Sequence, residues 1–165
     1  MAIPTAVVPV SEIFDLRWEV LRAGLPRESA VFTEDSDLDT FHVAAYDERG
    51  TVAACVTFFP DPFPGPFAVP FPGPPPGAGV VPGPGPGHRF RGLASAPEAR
   101  GLGFGHTVLE AGLEELAKRG VGLVWCNGRV SAAAFYAREG FTVVGDEFVL
   151  ESGPHLRFVK VLASE

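Results

Sequence analysis

Residues 100–105, Arg-Gly-Leu-Gly-Phe-Gly, put three side-chain-free positions into five residues directly before an amphipathic run. A glycine turn entering a helix suits an anion. The first helical N–H groups lack partners, the helix dipole favours negative charge there, and bare backbone can close on a phosphate. Three loop types compete for this stretch. A dinucleotide fingerprint starting at Gly101 and Gly103 would need its third glycine where His106 stands, and it normally follows a first strand rather than several. A Walker A loop needs a lysine followed by Ser or Thr, and no lysine lies between Arg100 and Lys118. The pattern that fits is Arg/Gln-x-x-Gly-x-Gly/Ala, in which Gly103 and Gly105 let the main chain approach a pyrophosphate.

Other side chains could serve acid, base or ionic roles. Tyr136 is a phenol, which with a pKa near 10 remains a proton donor at neutral pH, or else an aromatic packed against a sheet. His155 titrates near neutrality and is a candidate base facing an acceptor, or a structural histidine; water can relay the proton equally well. Arg91 is either a buried structural cation or an anchor for an acidic acceptor. The four histidines have no metal-like spacing, and no metal is expected. Asp35, Asp37 and Asp39 resemble the start of a calcium loop, but Thr40 stands where glycine is required and Tyr46 where the closing glutamate belongs. Residues 33–39 therefore read as a solvated loop.

The elements that must position these groups follow from hydrophobic pattern. At 165 residues the chain is most simply one domain, 1–165. Residues 5–10 read as a strand, followed by a helix with Ser11 as N-cap and Ile13, Leu16, Val20 and Leu21 on one face. Two strand-like runs flank Asp47-Glu48-Arg49-Gly50, a hairpin signal. Residues 60–87 are mostly proline and glycine, which excludes helix or central strand and indicates an extended loop. Its Phe63, Phe67 and Phe71 are too apolar for a purely solvated linker, so some are expected to pack on the domain. An adaptor role for this loop lacks basic anchors beside a P-x-x-P repeat. Residues 88–95 form a fourth strand. The helix after the glycine loop carries Phe104, Val108, Leu109, Gly112, Leu113 and Leu116 on one face and stops at Gly120. A strand at 121–127, a short helix at 131–139 capped by Ser131, and strands over 141–150 and 155–162 complete an α/β chain with a mixed sheet.

The net charge of −7 argues against general nucleic-acid binding. The N-terminus lacks a secretion signal, and no run approaches the roughly 20 apolar residues of a membrane span. Cys55 and Cys126 form no C-x-x-C pair and read as buried thiols in a reducing cytoplasm. A cytoplasmic location is expected, with no membrane partner.

The strand, loop and helix of residues 93–109, followed by Ala-Ala-Ala-Phe-Tyr-Ala-Arg-Glu-Gly-Phe at 132–141, resemble the GNAT superfamily of N-acetyltransferases in order and spacing. The resemblance covers about residues 5–163 apart from 60–87. It implies a central mixed sheet of about seven strands flanked by about four helices, with acetyl-CoA as co-substrate. Pyrophosphate would lie on Arg100, Gly101, Leu102, Gly103, Phe104, Gly105 and His106. Pantetheine would pair with Leu93, Ala94 and Ser95 as though it were an added strand, and Tyr136 would protonate the departing sulfur. Many members place an asparagine seven residues before that tyrosine. Here the position is Arg129, with Asn127 two residues earlier, and both stand as candidate pantetheine contacts. The activity implied is direct acetyl transfer to an amine of a small molecule or peptide. The alternative is a GNAT-like domain that binds acyl-CoA without catalysis. The acceptor, and whether the chain pairs as a homodimer, stay open at this level.

Overall fold

A computed structural model describes residues 2–63 and 87–162, and it carries an eight-stranded mixed sheet with three α-helices. In chain order the elements are β1 (Thr5–Val8), α1 (Val10–Leu21), β2 (Phe41–Tyr46), β3 (Val52–Pro60), β4 (His88–Ser95), α2 (Phe104–Lys118), β5 (Leu123–Arg129), α3 (Ala133–Arg138), β6 (Thr142–Val143), β7 (Phe148–Leu150) and β8 (Gly153–Val161). The strand order is β1-β2-β3-β4-β5-β8-β6, with β7 also on β8. Among the described residues no helix is long and apolar enough to cross a membrane.

Several boundaries differ from expectation for local reasons. Pro9, which has no N–H to give a ladder, ends β1 and is the N-cap of α1 in place of Ser11. The expected strand over 141–150 is two short strands, β6 and β7, because residues 144–147 break the run. Ser131 does not cap α3; residues Val130–Ala132 form a 3-10 turn instead. Two further 3-10 turns, Arg27–Ala30 and Thr33–Ser36, occupy the stretch between α1 and β2. Among the described residues the count is therefore eight strands and three α-helices, where about seven and four were expected for the chain.

Contacts divide the chain into two compact units, residues 1–59 with 90–116, and residues 60–89 with 117–165. In the first, β1, β2 and β3 are antiparallel. The β2–β3 hairpin is held by Asp47, whose Oδ1 accepts the N–H groups of Arg49 and Thr51 at 2.9 and 3.0 Å. On α2, Val108, Leu109, Gly112, Leu113 and Leu116 are buried, as the apolar spacing predicts. Phe58 is fully buried, stacked on Phe41 at 5.1 Å and tilted against Phe90 at 5.6 Å. Its ring occupies the space that a Cβ on Gly112 would need. Glycine at this point of α2 is thus a packing requirement.

In the second unit β8 is the organising strand, paired along seven residues with β5 and also with β6 and β7. The first two residues of β4 lie parallel to β5, with His88 opposite Val124 and Arg89 opposite Trp125. The proline-rich segment enters and leaves through a closed neck. The Asp61 N–H donates to Gly87 O at 3.0 Å, the indole N–H of Trp125 donates to Asp61 O at 2.8 Å, and Arg89 lies 3.7 Å from the Asp61 carboxylate. Phe63 is buried edge-on against Trp125 beside Leu123 and Val159, so it packs on the domain as anticipated. Phe67 and Phe71 lie outside the described residues.

Two measurements test this packing. Gly112→Ala would normally gain about 1 kcal/mol of helix propensity. Here the clash with Phe58 should reverse the sign and lower unfolding free energy by about 1–3 kcal/mol in urea titration. If the neck alone anchors the segment, replacing residues 64–86 with a short Gly/Ser linker should change stability by no more than about 1.5 kcal/mol, the scale of a change in loop-closure entropy. Phe63→Ala should cost about 3–5 kcal/mol. A linker variant as unstable as Phe63→Ala would refute the neck as the anchor of this segment.

Candidate active site

The glycine loop grows out of the end of β4. Residues Pro97–Ala99 make a 3-10 turn that delivers Arg100, and Gly101 and Gly103 then adopt φ of +80° and +88°. Such left-handed backbone is nearly free for glycine and strained for other residues. Among the described residues, chain neighbours apart, nothing lies within 4 Å of where their Cβ atoms would be, so this backbone is open to a ligand. Helix α2 begins at Phe104, and its first i→i−4 bond is Thr107 N–H to Gly103 O at 3.0 Å. The N–H groups before that bond have no intrahelical acceptor. No acidic residue occupies the first turn to compete with an anion. Gly105 backs onto the strand: a Cβ there would sit 3.4 Å from Ser95 Oγ. The fold therefore brings together two of the sequence-predicted sets, the loop 100–106 and the β4 residues Leu93, Ala94 and Ser95. Leu102 projects from the loop and is 65% exposed, while the side chain of His106 approaches Glu110 one turn on at 3.7 Å. These residues fit a diphosphate at a helix N-terminus.

Four other predicted residues belong to the second unit. Tyr136 on α3 is buried, with its ring 4.5 Å from Phe158 and 5.8 Å from Phe141. Gly128 on β5 makes room for it, since a Cβ there would lie 2.6 Å from Tyr136 Cε2. The Tyr136 hydroxyl shares a hydrogen bond with Cys126, and burial raises both groups well above their ordinary pKa values. Both remain protonated throughout the physiological range. Asn127 has a buried side-chain oxygen with no hydrogen-bond partner among the described residues. An unsatisfied buried acceptor is costly unless a donor arrives, and an amide N–H of a pantetheine arm is such a donor. Arg129, the next-but-one residue, is exposed. His155 lies inside β8 opposite Arg129. Its Nδ1–H donates to Gly153 O at 2.7 Å, which leaves Nε2 facing Ser152 Oγ at 3.3 Å.

The first unit also contains a polar cluster that sequence reading passed over. Arg17 on α1 is completely buried. Its Nη1 donates to Ala30 O (2.9 Å) and Asp35 Oδ2 (2.7 Å), and its Nη2 to Asp35 Oδ1 (3.0 Å) and Thr57 Oγ1 (2.7 Å). Thr57 in turn lies 2.8 Å from His42 Nδ1. Burial, foremost, depresses the His42 pKa and keeps the ring neutral, so the Thr57 hydroxyl can donate to Nδ1. Asp35 is thus a structural counter-ion, and residues 33–39 are more than the solvated loop expected. Arg91 on β4 pairs with Glu34 at 3.0 Å. The Phe32 ring lies 3.9 Å from the Arg17 guanidinium and 4.0 Å from that of Arg91. Gly92, with φ +71°, leaves the space that Phe32 fills, for a Cβ there would stand 3.0 Å from the ring. No sequence spacing announces these pairs, whose members are up to 57 residues apart.

Among the described residues no three His, Cys, Asp or Glu side chains converge on a metal position. Both cysteines are free and buried, and burial pushes the Cys55 thiol up to about 12.

Comparison with known proteins agrees with this architecture. The chain is 25% identical over 156 residues to an uncharacterised N-acetyltransferase, YitI, of Bacillus subtilis (strain 168), covering 94% of this chain and 93% of that protein. Its fold is similar to an acyl-CoA N-acyltransferase from Pseudomonas aeruginosa, with a TM-score of 0.68 and 19% identity over 96% of this chain and 99% of the other. It is likewise similar to a Corynebacterium glutamicum structure described as histone acetyltransferase HPA2 and related acetyltransferase, at TM-score 0.71 and 20% identity, covering 100% and 99% of the two chains. The family model for the acetyltransferase (GNAT) family matches residues 10–141. With glycine loop, strand and tyrosine helix in the family's order, the chain belongs to the GNAT acetyltransferase family.

Proposed function

We propose that this protein is a cytoplasmic enzyme that transfers the acetyl group of acetyl-CoA directly to an amine of a small molecule or peptide. The observation that carries the reading is the anion cradle of residues 100–106: open left-handed glycines, a helix N-terminus free of acids, and contact with the end of β4. Acetyl-CoA supplies an activated thioester when bound. The chain's own residues supply position, charge stabilisation and protons. Arg100, Gly101, Gly103 and Gly105 hold the pyrophosphate, with Leu102, Phe104 and His106 completing the loop. Backbone groups of Leu93, Ala94 and Ser95 align the pantetheine arm, and an N–H there faces the carbonyl oxygen as it gains charge. Asn127 accepts a donor of that arm, with Arg129 beside it on the exposed side.

The proton balance is simple. An amine that has lost its ammonium proton to solvent forms the new C–N bond, and the C–S bond breaks. Tyr136 gives its proton to the sulfur, and the second proton shed by the nitrogen returns to the phenol through solvent. We assign solvent rather than His155 as the acceptor of the amine's protons. With Nδ1 committed to Gly153 O, His155 is suited to bracing the turn between β7 and β8.

Release of free CoA from acetyl-CoA, assayed across amines, amino acids and peptides, separates this reading from acyl-CoA binding without catalysis. No release with any acceptor, by a protein that binds acetyl-CoA, favours the binding module. Gly103→Glu should weaken CoA binding more than about tenfold, or about 1.4 kcal/mol, through repulsion of the phosphates. Gly103→Ala, which shares the backbone strain without the charge, should weaken it less; calorimetry decides. Tyr136→Phe should lower turnover by about 10²–10⁴-fold with little change in CoA affinity. Undiminished turnover would make Tyr136 a packing residue whose hydroxyl serves only Cys126.

A further inference from the structure

We propose that the acceptor is a zwitterion, an amine that carries its own carboxylate, read by the Arg91–Glu34 pair on the first unit. This rests on the acetyltransferase reading above and names the substrate class of that same site. The pair joins one nitrogen to one oxygen, Arg91 Nη1 to Glu34 Oε1 at 3.0 Å, and the two side chains are 31% and 26% exposed. The guanidinium fork and the carboxylate therefore keep bonding capacity directed to solvent. Both partners are nevertheless held in place. Phe32 lies against the Arg91 guanidinium at 4.0 Å, and the buried Arg17 guanidinium lies 3.9 Å from the same ring. Glu34 sits in the 3-10 turn whose Asp35 takes both Arg17 nitrogens and the Phe32 N–H.

Charge balance then selects the ligand. A half-exposed pair contributes little to stability, so a ligand can open it at small cost. A plain amine would satisfy Glu34 and strip Arg91 of its counter-ion. A plain acid would do the reverse. Only a molecule with both charges gives each member a new partner, its carboxylate taking the Arg91 fork and its ammonium taking Glu34. The position is apt for the chemistry as well. Arg91 stands two residues before Leu93 on β4, a separation of about 7 Å at 3.3 Å per residue. Gly92, with its left-handed φ, lies within β4 between Arg91 and the stretch assigned to the acyl arm. An amine held by Glu34 as ammonium would wait there until its proton leaves to solvent.

The test compares matched acceptors, α-amino acids and the amines obtained from them by decarboxylation, in the CoA-release assay with saturating acetyl-CoA. The wild type should prefer the amino acids in kcat/KM. Arg91→Gln should erase about 10–100-fold of that preference, mainly through KM for the amino acid, while acetyl-CoA affinity and the unfolding midpoint stay near wild type. Arg91→Lys should restore part of it. Glu34→Gln should weaken both members of each pair. A wild type that prefers the decarboxylated amines overturns the proposal, as does an Arg91→Gln variant that keeps the preference. Acetyl-CoA binding measured in parallel identifies the other failure: a wild type that does not bind it overturns the parent reading, and this one with it.

Discussion

A whole guanidinium buried out of water organises the first unit. Desolvating an arginine costs several kcal/mol unless its donors are matched; the two terminal nitrogens of Arg17 meet a carboxylate, a backbone carbonyl and a threonine hydroxyl, while its Nε has no hydrogen-bond partner among the described residues. The partners come from the two turns between α1 and β2 and from β3, so satisfying one side chain fixes a segment with little regular structure of its own. Removing one partner of a buried pair typically costs about 3–5 kcal/mol, well beyond the worth of a surface ion pair. Phe32 and Glu34 ride on that segment. The half-exposed Arg91–Glu34 pair therefore owes its position to a cation that no solvent reaches.

The same economy governs the places where side chains are absent. Gly112 and Gly128 are glycines because Phe58 in one unit and Tyr136 with Phe158 in the other fill the volume a Cβ would take. Gly101 and Gly103 are glycines for a different reason, since space around them is open and only their backbone angles demand it. The first kind binds elements to each other. The second kind keeps the main chain available to a ligand.

The long proline-rich excursion is accommodated because its ends meet. Asp61 and Gly87 share a backbone bond at the neck, and Trp125 and Arg89 secure Asp61. The entropy of a closed loop rises only as the logarithm of its length, so a composition hostile to regular structure can be inserted between β3 and β4 at modest cost. Phe63, beside the neck, packs into the core with Leu123, Trp125 and Val159.

Local signals in the amino-acid order were enough to determine β4, α2 and the glycine loop between them, because strand alternation, helical periodicity and glycine backbone freedom act within a few residues. They also carried the Asp47 hairpin and the burial of both cysteines. They were less able to set ends, as Pro9, Ser131 and the split of β6 from β7 illustrate, since a terminus depends on which backbone groups find partners elsewhere. Tertiary structure alone decided the role of Arg17, which pattern reading left unmarked on a helix, and made a counter-ion of Asp35 in an acidic stretch read as solvated. It tied the His155 ring to its own turn. It also joined Arg91 to Glu34 across 57 positions. Ion pairs and buried hydrogen bonds depend on distance in space and on exclusion of water, and neither quantity is written in residue spacing.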